Sequence, residues 1–355
     1  MKIGILTFHF AHNYGAVLQC YALQEYLKST GHDVSVIDYR PRHIASFYAL
    51  YSRDKIRTLN LKGKIKYIGT HTATLLRRYI RKTQFDNYID RYLKTVPYDN
   101  SPYDILVYGS DQIWSKYICE NDRTYWGVNE LRTAKSITYS ASAGQTGNFE
   151  QQDIDFIRSA LKIFSAISVR ESQLQQFIRP LTTKQVDCTA DPVFLLDKSA
   201  WERLIGTGPH TSKYILVYNL YREQTIRRMA DELQRKTGYR IIELCGEIGI
   251  DDLLHPQRKT CEDPISFVRL IRNAEIVLSS SFHGTAFSIL FNKKFYVYQS
   301  HNSARVKSLL DNLGIGNRFT DSLSVDPFAD IDYISVNKKL QESIDRSKKY
   351  LTDNL

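Results

Sequence analysis

Apolar residues come in short blocks along the chain, and their spacing changes from block to block. Ile3 to Phe8 is a nearly continuous apolar run that ends in polar residues and Gly15, after which Val17, Cys20, Leu23 and Leu27 recur at helical spacing. Gly31 stops that helix and Val34 to Asp38 reads as the next strand, so the chain opens with a βαβ unit and a parallel sheet is expected. Strand signals return at Ile105 to Tyr108, Ser136 to Ser140, Ala166 to Val169 and Gln185 to Asp187, with helical patterns between the later ones. This alternation predicts a doubly wound, Rossmann-like domain over residues 1–195, carrying an insertion at about 41–100.

Asp191-Pro192, with Gly206, Gly208 and Pro209 soon after, breaks the regular pattern. Beyond it, Tyr214 to Tyr218 and Arg240 to Leu244 flank a helical pattern over Gln224 to Lys236. Glu275 to Ser279 and Phe295 to Tyr298 flank another over Thr285 to Phe291. These two units predict a second Rossmann-like domain over 196–330, and the amphipathic stretch Asn337 to Leu351 predicts a last helix within 331–355 that can pack back on the first domain. The expected class is α/β, two doubly wound lobes facing across a cleft. Sheets of this kind bind ligands beyond the carboxyl ends of their strands, which makes the cleft the expected site.

Composition adds exclusions. With 355 residues, 43% hydrophobic and 24% charged, the chain is of ordinary globular make-up, and no apolar run approaches the roughly 20 residues of a membrane-spanning helix. The start, Met1-Lys2-Ile3-Gly4-Ile5-Leu6, lacks the long apolar stretch of a signal peptide, so a cytoplasmic protein is expected. Cys20, Cys119, Cys188, Cys245 and Cys261 show no C-x-x-C spacing, which argues against zinc, iron–sulfur clusters and a disulfide scaffold and predicts reduced core residues. The net charge of +10 is local: between Arg53 and Lys94, twelve Lys or Arg stand against Asp54, Asp86 and Asp90. Tyr67, Ile68, Leu75, Leu76, Tyr79 and Ile80 are interleaved with them. Such a segment attracts phosphates on nucleic acid, an anionic leaflet or a glycolipid, and its plain alternative is a solvated helical face.

The strand ends supply the candidate chemistry. In His9-Phe10-Ala11-His12-Asn13-Tyr14-Gly15, Gly15 opens a helix whose free N–H groups favour an anion, whereas His9 and His12 read as loop or packing residues. Gly109-Ser110-Asp111-Gln112-Ile113-Trp114 puts a carboxylate at the next strand end, either as a helix N-cap or in a functional role. Ser140 to Gly144 is small enough for a ligand or a tight turn. Arg170 follows a buried strand and suits the bidentate grip of a carboxylate or phosphate, with an ion pair to Glu171 or another acid as the competitor. Ser279-Ser280-Ser281-Phe282-His283-Gly284-Thr285 is the strongest local signal, because His283 can exchange a proton near neutral pH at a strand end. His301-Asn302-Ser303-Ala304-Arg305 follows the next strand and offers a second cation. H-E-x-x-H, G-x-S-x-G and a carboxylate-rich metal cluster are all missing, which weakens the metalloprotease, α/β-hydrolase and magnesium-dependent readings.

With these residues in view, the chain resembles the polysaccharide pyruvyl transferases of bacterial surface and capsular glycan pathways. The resemblance runs through Asn13 to Gln19 with Tyr21-Ala22-Leu23, Gly109 to Trp114, Val169-Arg170-Glu171, Asp191-Pro192 and Ser281 to Gly284, in family order over about residues 3–318. It implies a GT-B-like fold and transfer of a pyruvyl group from phosphoenolpyruvate, a co-substrate rather than a cofactor, to a sugar as a cyclic ketal. It further implies that Arg170 binds the donor and that His283 is needed for activity. Many members carry Arg-Leu-His where this chain has Ser281-Phe282-His283, so Arg305, with Lys294, is expected to supply the missing cation.

On this reading His283 and Asp111 are catalytic, Arg170, Arg305, Asn302, Ser281, Gly284 and Lys294 bind the donor, and Asn13, Tyr14, Gly15, Ser110, Gln112, Trp114 and Ser142 line the acceptor side. No metal is expected. The acceptor is expected to be a polyprenyl-diphosphate-linked glycan at the inner face of the membrane. Residues 53–94 would touch anionic lipid through Arg77, Arg78, Arg81 and Lys82. A nucleotide-sugar glycosyltransferase of the same architecture is the rival enzyme. A polyanion-binding protein without turnover is a remote one, and nucleic acid is not an expected partner.

Overall fold

The computed structural model describes residues 1–120, 122–146, 149–206, 213–255, 258–298 and 304–355, and in it the alternation of the sequence becomes two five-stranded parallel sheets. The first holds β1 (Lys2–Leu6), β2 (Asp33–Asp38), β3 (Thr95–Pro97), β4 (Tyr103–Tyr108) and β5 (Thr133–Thr138) in the order β3-β2-β1-β4-β5. β1 is central: Ile3 pairs with Val34 on one side and Ile105 on the other, and a strand covered on both faces is apolar at successive positions. A parallel pair, β6 (Ile167–Val169) and β7 (Val186–Cys188), continues from the edge of β5 through bridges at Ala166 and Val169.

The second sheet holds β8 (Tyr214–Asn219), β9 (Arg240–Cys245), β10 (Ile276–Ser279), β11 (Lys294–Tyr298) and β12 (Phe319–Thr320) in the order β12-β11-β10-β8-β9. The class is therefore the expected one, α/β with two doubly wound, GT-B-like lobes. The second lobe has the flavodoxin-type order, while the first has the Rossmann order. Each order reverses once, between β1 and β4 and between β8 and β10, and the crevice at such a reversal is where these sheets take ligands.

The helix after β1, Tyr14–Ser29, is buried well beyond a single stripe, because it lies between the two lobes. Tyr14 lies flat on Phe267 of the second lobe, with ring centroids 4.7 Å apart and planes 1° from parallel, and its hydroxyl donates to the carbonyl of Glu262. Tyr21 packs on Trp201, which in turn meets Phe287 edge-on. One hydrophobic cluster thus runs from Ile3 and Val36 through this helix to Phe267, Val277 and Phe295. Of the polar residues it buries, Gln24 bridges Tyr92 and Lys94, and Gln19 donates to Thr7 and Ala16 while its Oε1 has no hydrogen bond. The last helix, Tyr333–Asn354, returns to the first lobe, where Tyr350 donates to the Thr138 carbonyl and Ser347 accepts from the Ala190 amide.

The insertion is helical, with Arg42–Tyr48, Arg53–Thr58, Leu61–Ala73 and Leu75–Tyr92. Its cations do not all face outward as expected. Arg77 donates to Thr260 Oγ1, Arg78 to the Ile248 carbonyl, and buried Arg81 to the carbonyls of His12, Cys245 and Thr260. Lys82 pairs with Asp86. These arginines therefore tie the lobes together and are not available to lipid. Among the cysteines, Cys20, Cys119 and Cys245 are buried as expected, whereas Cys188 and Cys261 are only half-buried.

Phe267→Ala removes the ring on which Tyr14 rests, and a large-to-small change at a fully buried aromatic costs about 3–5 kcal/mol. Urea unfolding should show that loss as a lower midpoint; an unchanged midpoint would mean that the interlobe stack contributes little.

Candidate active site

Side chains from both lobes meet beyond the carboxyl ends of the strands. Ser110 and Asp111 follow β4, Ser142 follows β5, Arg170 and Glu171 follow β6, and Asp191 follows β7. From the second lobe come Ser281 and His283, after β10, and Arg305 at the start of the helix Ala304–Leu313. Asp191 is the centre. Its Oδ2 accepts from Arg170 Nη1 at 2.5 Å, lies 3.4 Å from His283 Nε2, and is 3.5 Å from Ser110 Oγ, while Oδ1 accepts from the Val193 amide. Burial alone would raise the Asp191 carboxyl, but His283, Arg170 and that amide outweigh it and hold it well below the usual carboxylate range.

Arg170 is surrounded by acids: Asp191, Glu171 Oε1 at 3.4 Å from its Nε, and Asp111 Oδ1 at 3.9 Å from its Nη2. Burial works against its charge, yet these three carboxylates raise its pKa. The ion pair set against a ligand role is thus present, and Nη2 is the edge that stays without a hydrogen bond. Arg305 is different. No ion pair or hydrogen bond to it occurs among the described residues, its Nε is buried without a partner, and burial followed by repulsion from Arg170 lowers its pKa. The ring of Phe282 serves both cations, lying 4.6 Å from the Arg170 guanidinium and 6.0 Å from that of Arg305.

Asp111 has the left-handed φ of 66°, which Asp tolerates better than most residues, and its Oδ1 accepts from the next amide, Gln112. No helix starts there, so the N-cap alternative falls away; the next helix begins at Lys116. Ser142 donates to Glu171 Oε1 at 2.5 Å, and Gly144 is in contact range of the Gln112 amide. At Gly15 the lobes come close together: a Cβ there would stand 1.9 Å from His283 Nδ1. His283 Nε2, Arg170 Nη2, Glu171 Oε2 and Arg305 Nε are all buried without a hydrogen bond in this one cluster, a concentration that calls for a polar ligand or water. A cavity of about 250 Å³ opens beside Arg170, Asp191, Phe282 and Arg305. A larger one, about 660 Å³, lies in the insertion between Arg42, Phe47, Lys55 and Tyr67. It touches none of the cluster and its Arg42 is paired with Asp54, so size does not mark the site here.

Several expected residues have other employment. Lys294 is the first residue of β11, at the end away from the strand-end cluster, and pairs with Asp330 at 3.0 Å, so it does not replace the missing cation. Trp114 is 1% exposed, stacked 4.3 Å from Trp126 and bonded to the Tyr125 carbonyl, which makes it core and not cleft. Tyr14 is an interlobe residue, and Asn13 caps the helix Tyr14–Ser29 by accepting from Gly15 and Ala16. Gly284 lets its helix lie against β10, since a Cβ would stand 2.3 Å from Ser279 Oγ. Buried Ser281 starts that helix and accepts from Thr285 through its carbonyl. Asn302 lies outside the described residues. His9 is held by Asp38 at 2.8 Å, and burial lowers His12 to about 4, which leaves it neutral at neutral pH.

Sequence reasoning gave Asp191 no role. In a strand-end Asp-Pro pair its local signal is that of a cap, which it also is, and its charge partners are distant in sequence. Among the described residues, no three of His, Cys, Asp or Glu are grouped to hold a metal ion.

Comparison with solved structures finds distant likenesses. A protein from Klebsiella pneumoniae subsp. pneumoniae NTUH-K2044, called functionally uncharacterised, is 14% identical, covers 75% of this chain and all of its own (100%), and has a TM-score of 0.42. E. coli heptosyltransferase WaaC is 10% identical over 97% of this chain and 100% of its own, with a TM-score of 0.44. The UDP-GlcNAc 2-epimerase of Methanocaldococcus jannaschii is 10% identical over 99% of each chain, with a TM-score of 0.47. No curated protein matches the sequence. Residues 13–302, well over half of the chain and including every described residue of the cluster except Arg305, match the polysaccharide pyruvyl transferase family, and the chain belongs to it.

Proposed function

We propose that the protein transfers a pyruvyl group from phosphoenolpyruvate to two hydroxyls of one sugar in a bacterial surface polysaccharide, forming a cyclic ketal and releasing phosphate. The observation that carries this reading is the convergence of Arg305 Nε, Arg170 Nη2 and His283 Nε2, buried polar atoms that make no hydrogen bond, in a chain of this family. Phosphoenolpyruvate brings a carboxylate and a phosphate, and a guanidinium matches either in a bidentate way. Arg305 has no carboxylate of its own among the described residues, so it is the stronger clamp; Arg170 contributes its free edge.

His283 gives a proton to the terminal methylene, which becomes a methyl group and leaves C2 cationic. A sugar hydroxyl adds to C2 and loses its proton to Asp111, which returns it to His283. Phosphate then leaves, and a second hydroxyl closes the ketal while its proton departs with the phosphate. Asp191 touches no reacting atom in this scheme; it holds His283 and Arg170 in register. The acceptor is a glycan carried on a polyprenyl diphosphate at the inner face of the membrane. No helix among the described residues is long and apolar enough to cross a bilayer.

Incubating the protein with phosphoenolpyruvate and lipid-linked or short glycans should yield a glycan heavier by one pyruvate ketal and one phosphate per ketal. Failure with every such acceptor while a nucleotide sugar is consumed would favour glycosyl transfer. His283→Ala should lower turnover about 100- to 10,000-fold with the circular dichroism spectrum unchanged. A variant with wild-type rates would make the imidazole structural. Arg305→Ala should weaken donor binding by about tenfold or more, because a charge-assisted contact in a partly dry site is lost, whereas Lys294→Ala should leave it unchanged. Isothermal titration distinguishes the two, and the opposite ranking would return Lys294 to the site.

A further inference from the structure

The helices Leu61–Ala73 and Leu75–Tyr92 behave as one kinked rod: Thr74 donates to the Thr70 carbonyl and Arg78 to that of Thr74, both at 3.0 Å, so the helical phase continues through the break. At 3.6 residues per turn, Leu61, Ile65, Ile68, Thr72, Leu75, Leu76 and Tyr79 fall on about one third of its circumference. That third faces solvent. Leu61 is 74% exposed, Ile65 66% and Leu76 71%. On Leu75–Tyr92 the opposite side, with Arg81, Phe85, Tyr88 and Ile89, is buried against the protein, whereas Leu61–Ala73 buries no residue. A helix with apolar residues on both its inner and outer faces is half-packed, and a row of this length on a protein surface marks a contact.

We infer that this row is a membrane-docking face that inserts its apolar side chains into an anionic lipid monolayer. Charge selects the occupant. From Lys55 to Phe85 the chain holds nine Lys or Arg and no Asp or Glu, and Lys62, Lys64 and Lys66 flank the row. An apolar stripe bordered by lysines is the pattern of an interfacial helix, whose stems snorkel while its ammonium groups reach lipid phosphates. A second copy of the chain is a poor fit, because a symmetric contact would set two such cationic borders against each other. The rod also carries Arg81, which holds the carbonyls of His12, Cys245 and Thr260, so a docked row fixes the mouth of the active cleft relative to the bilayer. The purpose of the contact rests on the lipid-carried acceptor proposed above, but the contact itself is read without turnover.

Flotation of the full chain with phosphatidylcholine vesicles, with and without phosphatidylglycerol, tests it. The protein should float with the anionic vesicles alone, and added salt should weaken the association. Ile65→Asp/Leu76→Asp, at exposed positions that leave the thermal midpoint in place, should reduce vesicle binding about tenfold or more. Lys62→Gln/Lys64→Gln/Lys66→Gln should flatten the salt dependence. Unchanged flotation of the aspartate variant, or no flotation of the wild type, overturns the inference. So does a wild-type dimer in light scattering that the aspartate variant dissolves, since the row is then an interface between copies. Ketal formation on short soluble glycans, which needs no bilayer, separates failure of this contact from failure of the proposed reaction.

Discussion

The face of Tyr14 on Phe267 is the contact on which the site depends. His283 belongs to one lobe, while Arg170, Asp111 and Asp191 belong to the other, and the cluster exists only while the lobes keep this distance. The same helix start supplies Gly15, whose missing side chain is the space the imidazole occupies. Hydrophobic burial here does electrostatic work: it brings groups of both signs into a region where water no longer screens them.

Within that region the charges do not cancel. Asp111, Glu171 and Asp191 are set against Arg170 and Arg305. The distribution is uneven too, since Arg170 absorbs all three carboxylates and Arg305 none, which separates a cation that organises the site from one that is free to meet a ligand. A paired buried guanidinium is costly to disturb, whereas an unpaired one gains from any anion that arrives.

Much of this was legible in the sequence for a simple physical reason. β1, β4, β8 and β10 are buried on both faces, so their apolar runs stand out, and small or charged residues directly after them mark strand ends. Arg170, Asp111 and His283, which the structure brings together, stand out in that way, and local pattern suffices for it. Partnership is another matter. Asp191 and Arg81 act through groups far away in the chain, and neither has a local pattern that says so. Trp114 and Lys294 mislead for the converse reason. The chain turns back into the core within three residues of Asp111, and Lys294 opens its strand instead of closing it.

The route of the chain has a mechanical meaning. It passes between the lobes once after β7, and again along the helix Tyr333–Asn354, whose first residue donates to the Lys293 carbonyl of the second lobe and whose last turns reach Thr138 of the first. One crossing would act as a tether about which a lobe could swivel freely. Two crossings hold it at separate points, so that any rotation left to it is confined to the line that joins them.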